Sequence, residues 1–232
     1  MIKYKNGNIK EKKVILDSNS YLVLKYFDDG VLKDSTPYIN SKRNGIRRFY
    51  FRDEGYSNWV TYKNDTVNGL VWAKYIDETI YYTGEMKDSL RLGEWFFYHE
   101  NGNLSEYEFL SRAGTSQYLR EYDVEGIYLQ HDGKALIEFI YMRDTILVDK
   151  PYYFEVTLAT PPNCKTVFYS TDMKTNGEYS NVVDYGFESN PLVSSVKFNS
   201  PGEHVKKFGW AIEDTVTGEI EKGSLTELIF VK

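Results

Sequence analysis

The chain has 232 residues, of which 41% are hydrophobic and 27% charged, a balance that excludes wholesale disorder. A net charge of −6 gives no general pull toward nucleic acid or anionic lipid, and no apolar run is long enough to span a membrane. The lone Cys164 excludes an intrachain disulfide and a four-thiolate metal site.

Aromatic content sets the fold class. With 21 Tyr, 13 Phe and 4 Trp the chain is 16% aromatic, while alanine occurs only at positions 73, 113, 135, 159 and 211. Aromatic residues suit a pleated surface, and scarce alanine argues against long helices. An all-β protein is expected.

In chain order, Tyr4-Lys-Asn-Gly7-Asn-Ile9 is a truncated first copy of a unit that then recurs. Its marker is an aromatic residue four positions before a turn signal. The marker reads Tyr26-Phe-Asp-Asp-Gly30, Phe51-Arg-Asp-Glu-Gly55, Tyr75-Ile-Asp-Glu-Thr79, Tyr98-His-Glu-Asn-Gly102 and Tyr122-Asp-Val-Glu-Gly126, at spacings of 25, 24, 23 and 24. A second marker ends at Gly45, Gly69 and Gly93, also 24 apart. Fixed self-similarity of this length is the signature of a repeat array.

Each period holds two strand-forming runs. In the best copy, Glu94–His99 leads through Glu100-Asn-Gly102-Asn103 into Leu104–Phe109. Asn-Gly predicts a primed two-residue hairpin turn, and Gly45, Gly69 and Gly93 are assigned to the return turns. The expected architecture is an antiparallel meander of hairpin repeats, stable only through neighbouring copies. Gly93-Glu-Trp95-Phe-Phe-Tyr98-His-Glu-Asn-Gly102-Asn-Leu104 resembles the variant MORN repeat, Gly-x-Trp-x-x-Tyr-x-x-x-Gly-x-Leu. The resemblance extends over about residues 3–141. Weaker copies depart from it: Trp72 comes one place late after Gly69, and Thr79 stands for the turn glycine. The resemblance implies a β-hairpin interaction module of a kind often labelled an antitoxin component.

Composition changes near residue 147. Residues 1–146 hold 16 of the 21 tyrosines, and five of the six prolines lie beyond them. Two domains are expected, 1–146 and 147–232. In the second, strands are predicted at Tyr152–Leu158, Lys165–Thr171, Tyr179–Tyr185, Leu192–Phe198, Val205–Glu213 and Ser224–Val231. Turns are predicted at Pro161–Asn163, Thr175–Gly177, Ser189–Pro191, Ser200–Gly202 and Thr217–Glu219. Short, evenly spaced strands suggest an immunoglobulin-like β-sandwich, with Phe208, Trp210 and Ile212 facing inward.

No residue pattern points to catalysis, a cofactor or a metal. His99, His131 and His204 show no ligand spacing. Asp28-Asp29, Asp53-Glu54 and Asp77-Glu78 recur at one point of the repeat and read as turn residues. Arg43, Arg47, Arg48 and Arg52 read as a solvated strand face. What remains is surface: Trp59, Trp72 and Trp95, with the recurring Tyr26, Tyr75, Tyr98 and Tyr122, form the candidate interaction surface. The expected function is non-enzymatic, binding a protein partner. Carbohydrate or cell-wall binding through stacked aromatic rings is the alternative, and an antitoxin or immunity role the second. The expected location is the bacterial envelope if a leader was trimmed, and otherwise the cytoplasm.

Overall fold

The computed structural model describes residues 1–141, 145–173, 179–185 and 190–232. Among these residues every regular element is a strand, and the chain forms two compact units, Met1–Gln130 and His131–Lys232.

The first unit is a meander. Its early strands are β1 (Ile2–Lys3), β2 (Ile9–Ile15), β3 (Ser20–Tyr26), β4 (Leu32–Ile39), β5 (Lys42–Arg43) and β6 (Gly45–Phe51). Next come β7 (Tyr56–Lys63), β8 (Thr66–Tyr75), β9 (Ile80–Lys87) and β10 (Leu90–Tyr98). It closes with β11 (Leu104–Leu110), β12 (Ser116–Tyr122) and β13 (Tyr128–Gly133), which runs across the unit boundary. Among the described residues these make one thirteen-stranded sheet in which each strand lies beside its chain neighbour, with β5 a short adjunct of β4.

Turns of two kinds join the strands, and one margin carries both, because Gly114 closes the 111–115 turn as a glycine bulge on the same margin as the primed turns. On that margin Asn40-Ser41, Asn64-Asp65 and Asp88-Ser89 each have two successive positive φ angles, the requirement of a primed two-residue turn. Gly45, Gly69 and Gly93 follow those turns inside strands, so the return turns lie four or five residues earlier than the glycine spacing suggests. On the other margin, Gly7, Gly30, Gly55, Gly102 and Gly126 take positive φ at the end of a longer turn. At Asn101-Gly102 only the glycine does so, and the Gly102 amide donates to the His99 carbonyl at 2.9 Å. That geometry is a type I turn closed by a glycine bulge rather than the primed turn expected there. In the copy lacking a glycine, Glu78 rather than Thr79 takes the left-handed conformation, at φ 72°.

On one face of the sheet Val71, Trp95 and Leu110 form a buried cluster, flanked by Val60, Val67, Tyr82, Met86 and Phe97. A register shift between Leu92 and Phe96 lets Trp95 fold over Gly84, and its Nε1–H donates to the Leu92 carbonyl at 3.2 Å. Arg91 covers the indole from 4.2 Å and pairs with Glu108 at 2.5 Å.

The second unit has β14 (Leu136–Tyr141), β15 (Pro151–Leu158), β16 (Cys164–Met173), β17 (Tyr179–Asp184), β18 (Leu192–Lys197), β19 (Gly202–Asp214) and β20 (Ile220–Val231). One sheet has the order β14-β15-β18 and the other β17-β16-β19-β20. Phe139 and Phe154 from the first meet Phe168 and Phe208 from the second, with Phe139–Phe208 centroids 4.8 Å apart and Phe154–Phe208 5.4 Å. Phe154, Phe168, Phe208 and Ile212 are fully buried, so the two sheets enclose an aromatic core as a β-sandwich.

All six predicted strands of this unit are present, and Phe208, Trp210 and Ile212 face its core. Residues Thr175–Gly177 and Ser189 of two predicted turns lie outside the described residues. The unit also takes in β14, upstream of the composition change near 147. Its partner is β15, through pairs such as Ile140 with Glu155 and Tyr141 with Phe154.

Candidate interaction surface

Residues directly opposite each other on antiparallel strands share a face and touch. On the face away from Trp95, the registers of consecutive strands line up a single row. It runs Ser35, Arg48, Trp59, Trp72, Thr83, Phe96, Tyr107 and Arg120, one residue from each of β4 and β6 to β12. From Arg48 to Arg120 the row is nearly symmetric about Thr83: cation, two rings, threonine, two rings, cation.

In the first half, the Trp59 and Trp72 rings stack with centroids 5.8 Å apart and planes 5° from parallel. The Arg48 guanidinium lies 4.7 Å from the Trp59 ring and 4.4 Å from Tyr50, and Lys74 Nζ lies 5.9 Å from Trp59. Arg48 also approaches Glu78 at 3.9 Å. Both indoles are half-buried. In the second half, Phe96 meets Tyr107 at 5.5 Å, and Arg120 covers the Tyr128 ring from 3.9 Å. Tyr107 and Arg120 are buried, so the row turns from accessible at Trp59 and Trp72 to enclosed at β11 and β12.

The candidate residues therefore separate. Trp59 and Trp72 come together, whereas Trp95 belongs to the cluster on the opposite face. The tyrosines serve another arrangement. Tyr4 Oη donates to the Tyr26 carbonyl at 2.8 Å, Tyr75 Oη to the Tyr98 carbonyl at 2.7 Å, and His99 Nε2 contacts the Tyr122 carbonyl at 3.2 Å. Each bond links one turn to the turn a repeat later. Tyr4, Tyr75 and His99 begin their turns identically, each amide donating to the carbonyl four residues on. Tyr75 thus matches His99, not Tyr98, and stands one place out of step with Tyr26, Tyr98 and Tyr122. Amides add to the linkage: Asn6 and Asn8 reach the Asp28 carbonyl, and Asn101 and Asn103 that of Val124. Burial raises the phenol pKa of both Tyr75 and Tyr98.

Arg48, Tyr50 and Lys74 are the members of the surface that sequence reasoning missed. Of the other arginines in that run, Arg43 pairs with Asp65 at 3.1 Å, Arg52 with Asp29 at 2.8 Å and Arg47 with buried Asp34. The histidines occupy separate places: His99 in its turn, His131 at 3.7 Å from Glu221, and His204 against the Ser200 carbonyl at 2.9 Å. Cys164 is half-buried at the start of β16. Among the described residues no group of three His, Cys, Asp or Glu side chains could hold a metal ion, and no helix is long and apolar enough to cross a membrane.

Trp59 has a ring neighbour on one side and a guanidinium on the other, so its faces are engaged within the row. The surface offers indole and phenol edges beside the Arg48 guanidinium. No protein-family model matches the chain, and no curated protein matches it.

Proposed function

We propose that this chain is a non-enzymatic interaction protein whose repeat sheet binds a protein partner around Arg48, Tyr50, Trp59 and Trp72. The observation that carries the reading is the accessible half of the cross-strand row, where two parallel indoles are flanked by Arg48. Aromatic residues and arginine dominate the energetics of protein interfaces, and an array held in place by its neighbours presents them on a rigid support. The 24-residue period supports reading the array as variant MORN repeats. Among the described residues, seven strands in two sheets support an immunoglobulin-like second unit. Sugar stacking requires an open ring face, and Trp59 is flanked on both sides; the protein-partner reading is therefore preferred to the carbohydrate one.

The test compares the immobilised wild-type chain with Trp59→Ala/Trp72→Ala in native lysate of the source cells. A protein retained in near-stoichiometric amount by the first and lost from the second is expected. Identical retained sets would overturn the proposal. Tryptophan quenching by polysaccharide that Trp72→Ala abolishes would instead favour carbohydrate.

A further inference from the structure

The margin of the sheet opposite the primed turns has a second feature that the scaffold does not explain. Three consecutive turns, 27–31, 51–55 and 75–79, border an apolar depression of about 170 Å³ lined by Phe27, Val31, Tyr50, Phe51, Tyr56 and Ile76, among others. That volume is of the order that takes up one benzene-sized ring. Turn tips are ordinarily occupied by Gly, Asn, Asp or Ser. Here Ile76 is 87% exposed at a turn tip and Val31 54% exposed at a turn end. At the position matching Ile76 other copies carry Asp28, Glu100 and Val124, and at that matching Val31 they carry Thr79, Asn103 and Ile127.

The rim is acidic. The three turns contain Asp28, Asp29, Asp53, Glu54, Asp77 and Glu78. Lys74 holds Glu78 at 3.2 Å and Arg48 approaches it at 3.9 Å, so Asp28, Asp53, Glu54 and Asp77 are the carboxylates left for a ligand beside Arg52, which itself lines the hollow. Arg52 is engaged at home, stacked 4.0 Å over Phe27 and paired with Asp29 at 2.8 Å. An apolar hollow within a carboxylate rim complements one chemistry: a large apolar side chain flanked by lysine or arginine.

We propose that this margin docks a basic protein segment, one of whose aromatic or branched aliphatic side chains fills the hollow beside Ile76 while its flanking cations meet the carboxylates of the turns. The site adjoins the Trp59–Trp72 surface, sharing Tyr50 with it and having Arg48 beside the rim's Glu78, but neither indole lines the hollow.

The probe is a fluorescein-labelled peptide, Lys-Lys-Leu-Trp-Lys-Lys, titrated with the full chain and read by fluorescence anisotropy. The charge-reversed peptide Glu-Glu-Leu-Trp-Glu-Glu serves as reference. Saturable binding of the basic peptide is expected, weakened by added salt, and about tenfold weaker in Ile76→Asp. That variant adds negative charge, so unspecific attraction would leave basic-peptide binding equal or stronger. Its exposed position keeps the fold intact, which the thermal midpoint confirms. Absence of binding, equal affinity for both peptides, or undiminished binding to Ile76→Asp overturns the proposal. So does concentration-dependent dimerisation that Ile76→Asp abolishes, which would assign the hollow to a second copy of the chain. Trp59→Ala/Trp72→Ala is expected to bind the basic peptide as wild type does, so this site and the Trp59–Trp72 reading can fail separately.

Discussion

The Trp95 indole lies so close against Gly84 that a Cβ added there would sit 2.2 Å from the ring. The tryptophan occupies the space that a side chain would need, and the residue most central to the buried cluster depends on the absence of one. Gly84→Ala is therefore expected to push Trp95 away from Val71 and Leu110 and to cost about 1–3 kcal/mol. Urea denaturation measures this as a lower midpoint with an unchanged slope; an unchanged midpoint would show that the indole relaxes freely.

Tyr75→Phe removes the hydroxyl that binds the Tyr98 carbonyl and leaves the ring in place. A loss of about 1 kcal/mol is expected. The loss is local: amide exchange should quicken in the His99–Asn103 turn and remain unchanged in the Phe27–Val31 turn. Equal acceleration at both turns would contradict a bond that acts between adjacent repeats.

Asp34 is buried and accepts from Thr36 Oγ1 at 2.5 Å and from Arg47 Nε at 2.9 Å. Arg47→Met strands that carboxylate and should cost about 3 kcal/mol, the lower end for a buried pair because the arginine is partly exposed. Asp34→Leu/Arg47→Met, which removes both charges, is expected to cost less than Arg47→Met alone. Additive losses in a double-mutant cycle would refute the coupling.

Burial, then the neighbouring Glu108 and Glu121, raises the carboxyl pKa of Glu106 above the usual range. A carboxyl raised in the fold holds its proton more tightly there than in the unfolded chain, so it weakens the fold as pH rises through the carboxylate range. Glu106→Gln should stabilise the protein at pH 7, and the gain should vanish on acidification below the ordinary glutamate pKa. Chemical denaturation at successive pH values checks this; a gain independent of pH would point to packing instead.

Period and fold class were legible in the sequence because they depend on spacing and composition, and every predicted strand after Pro151 is present. Facing was harder to read. Trp72 stands three places after Gly69 but Trp95 only two after Gly93, and that one-residue offset puts Trp72 beside Trp59 on one face while Trp95 folds over Gly84 on the other. Arg48 read as solvated because one of its two ring partners, Trp59, lies on the next strand. Strand β14 lies among residues that resemble the array, but its pairing with β15 is a relation between segments that no local composition records.

The primed turns at residues 40–41, 64–65 and 88–89 are equivalent joints. Cutting out residues 66–89 and joining Asp65 to Leu90 removes one whole period, places Gly93 where Gly69 had been, and leaves a primed turn at the seam. A chain built this way is a tape that can be shortened or lengthened by whole units. Its reach changes with copy number, while the rule that bonds each turn to the next stays the same.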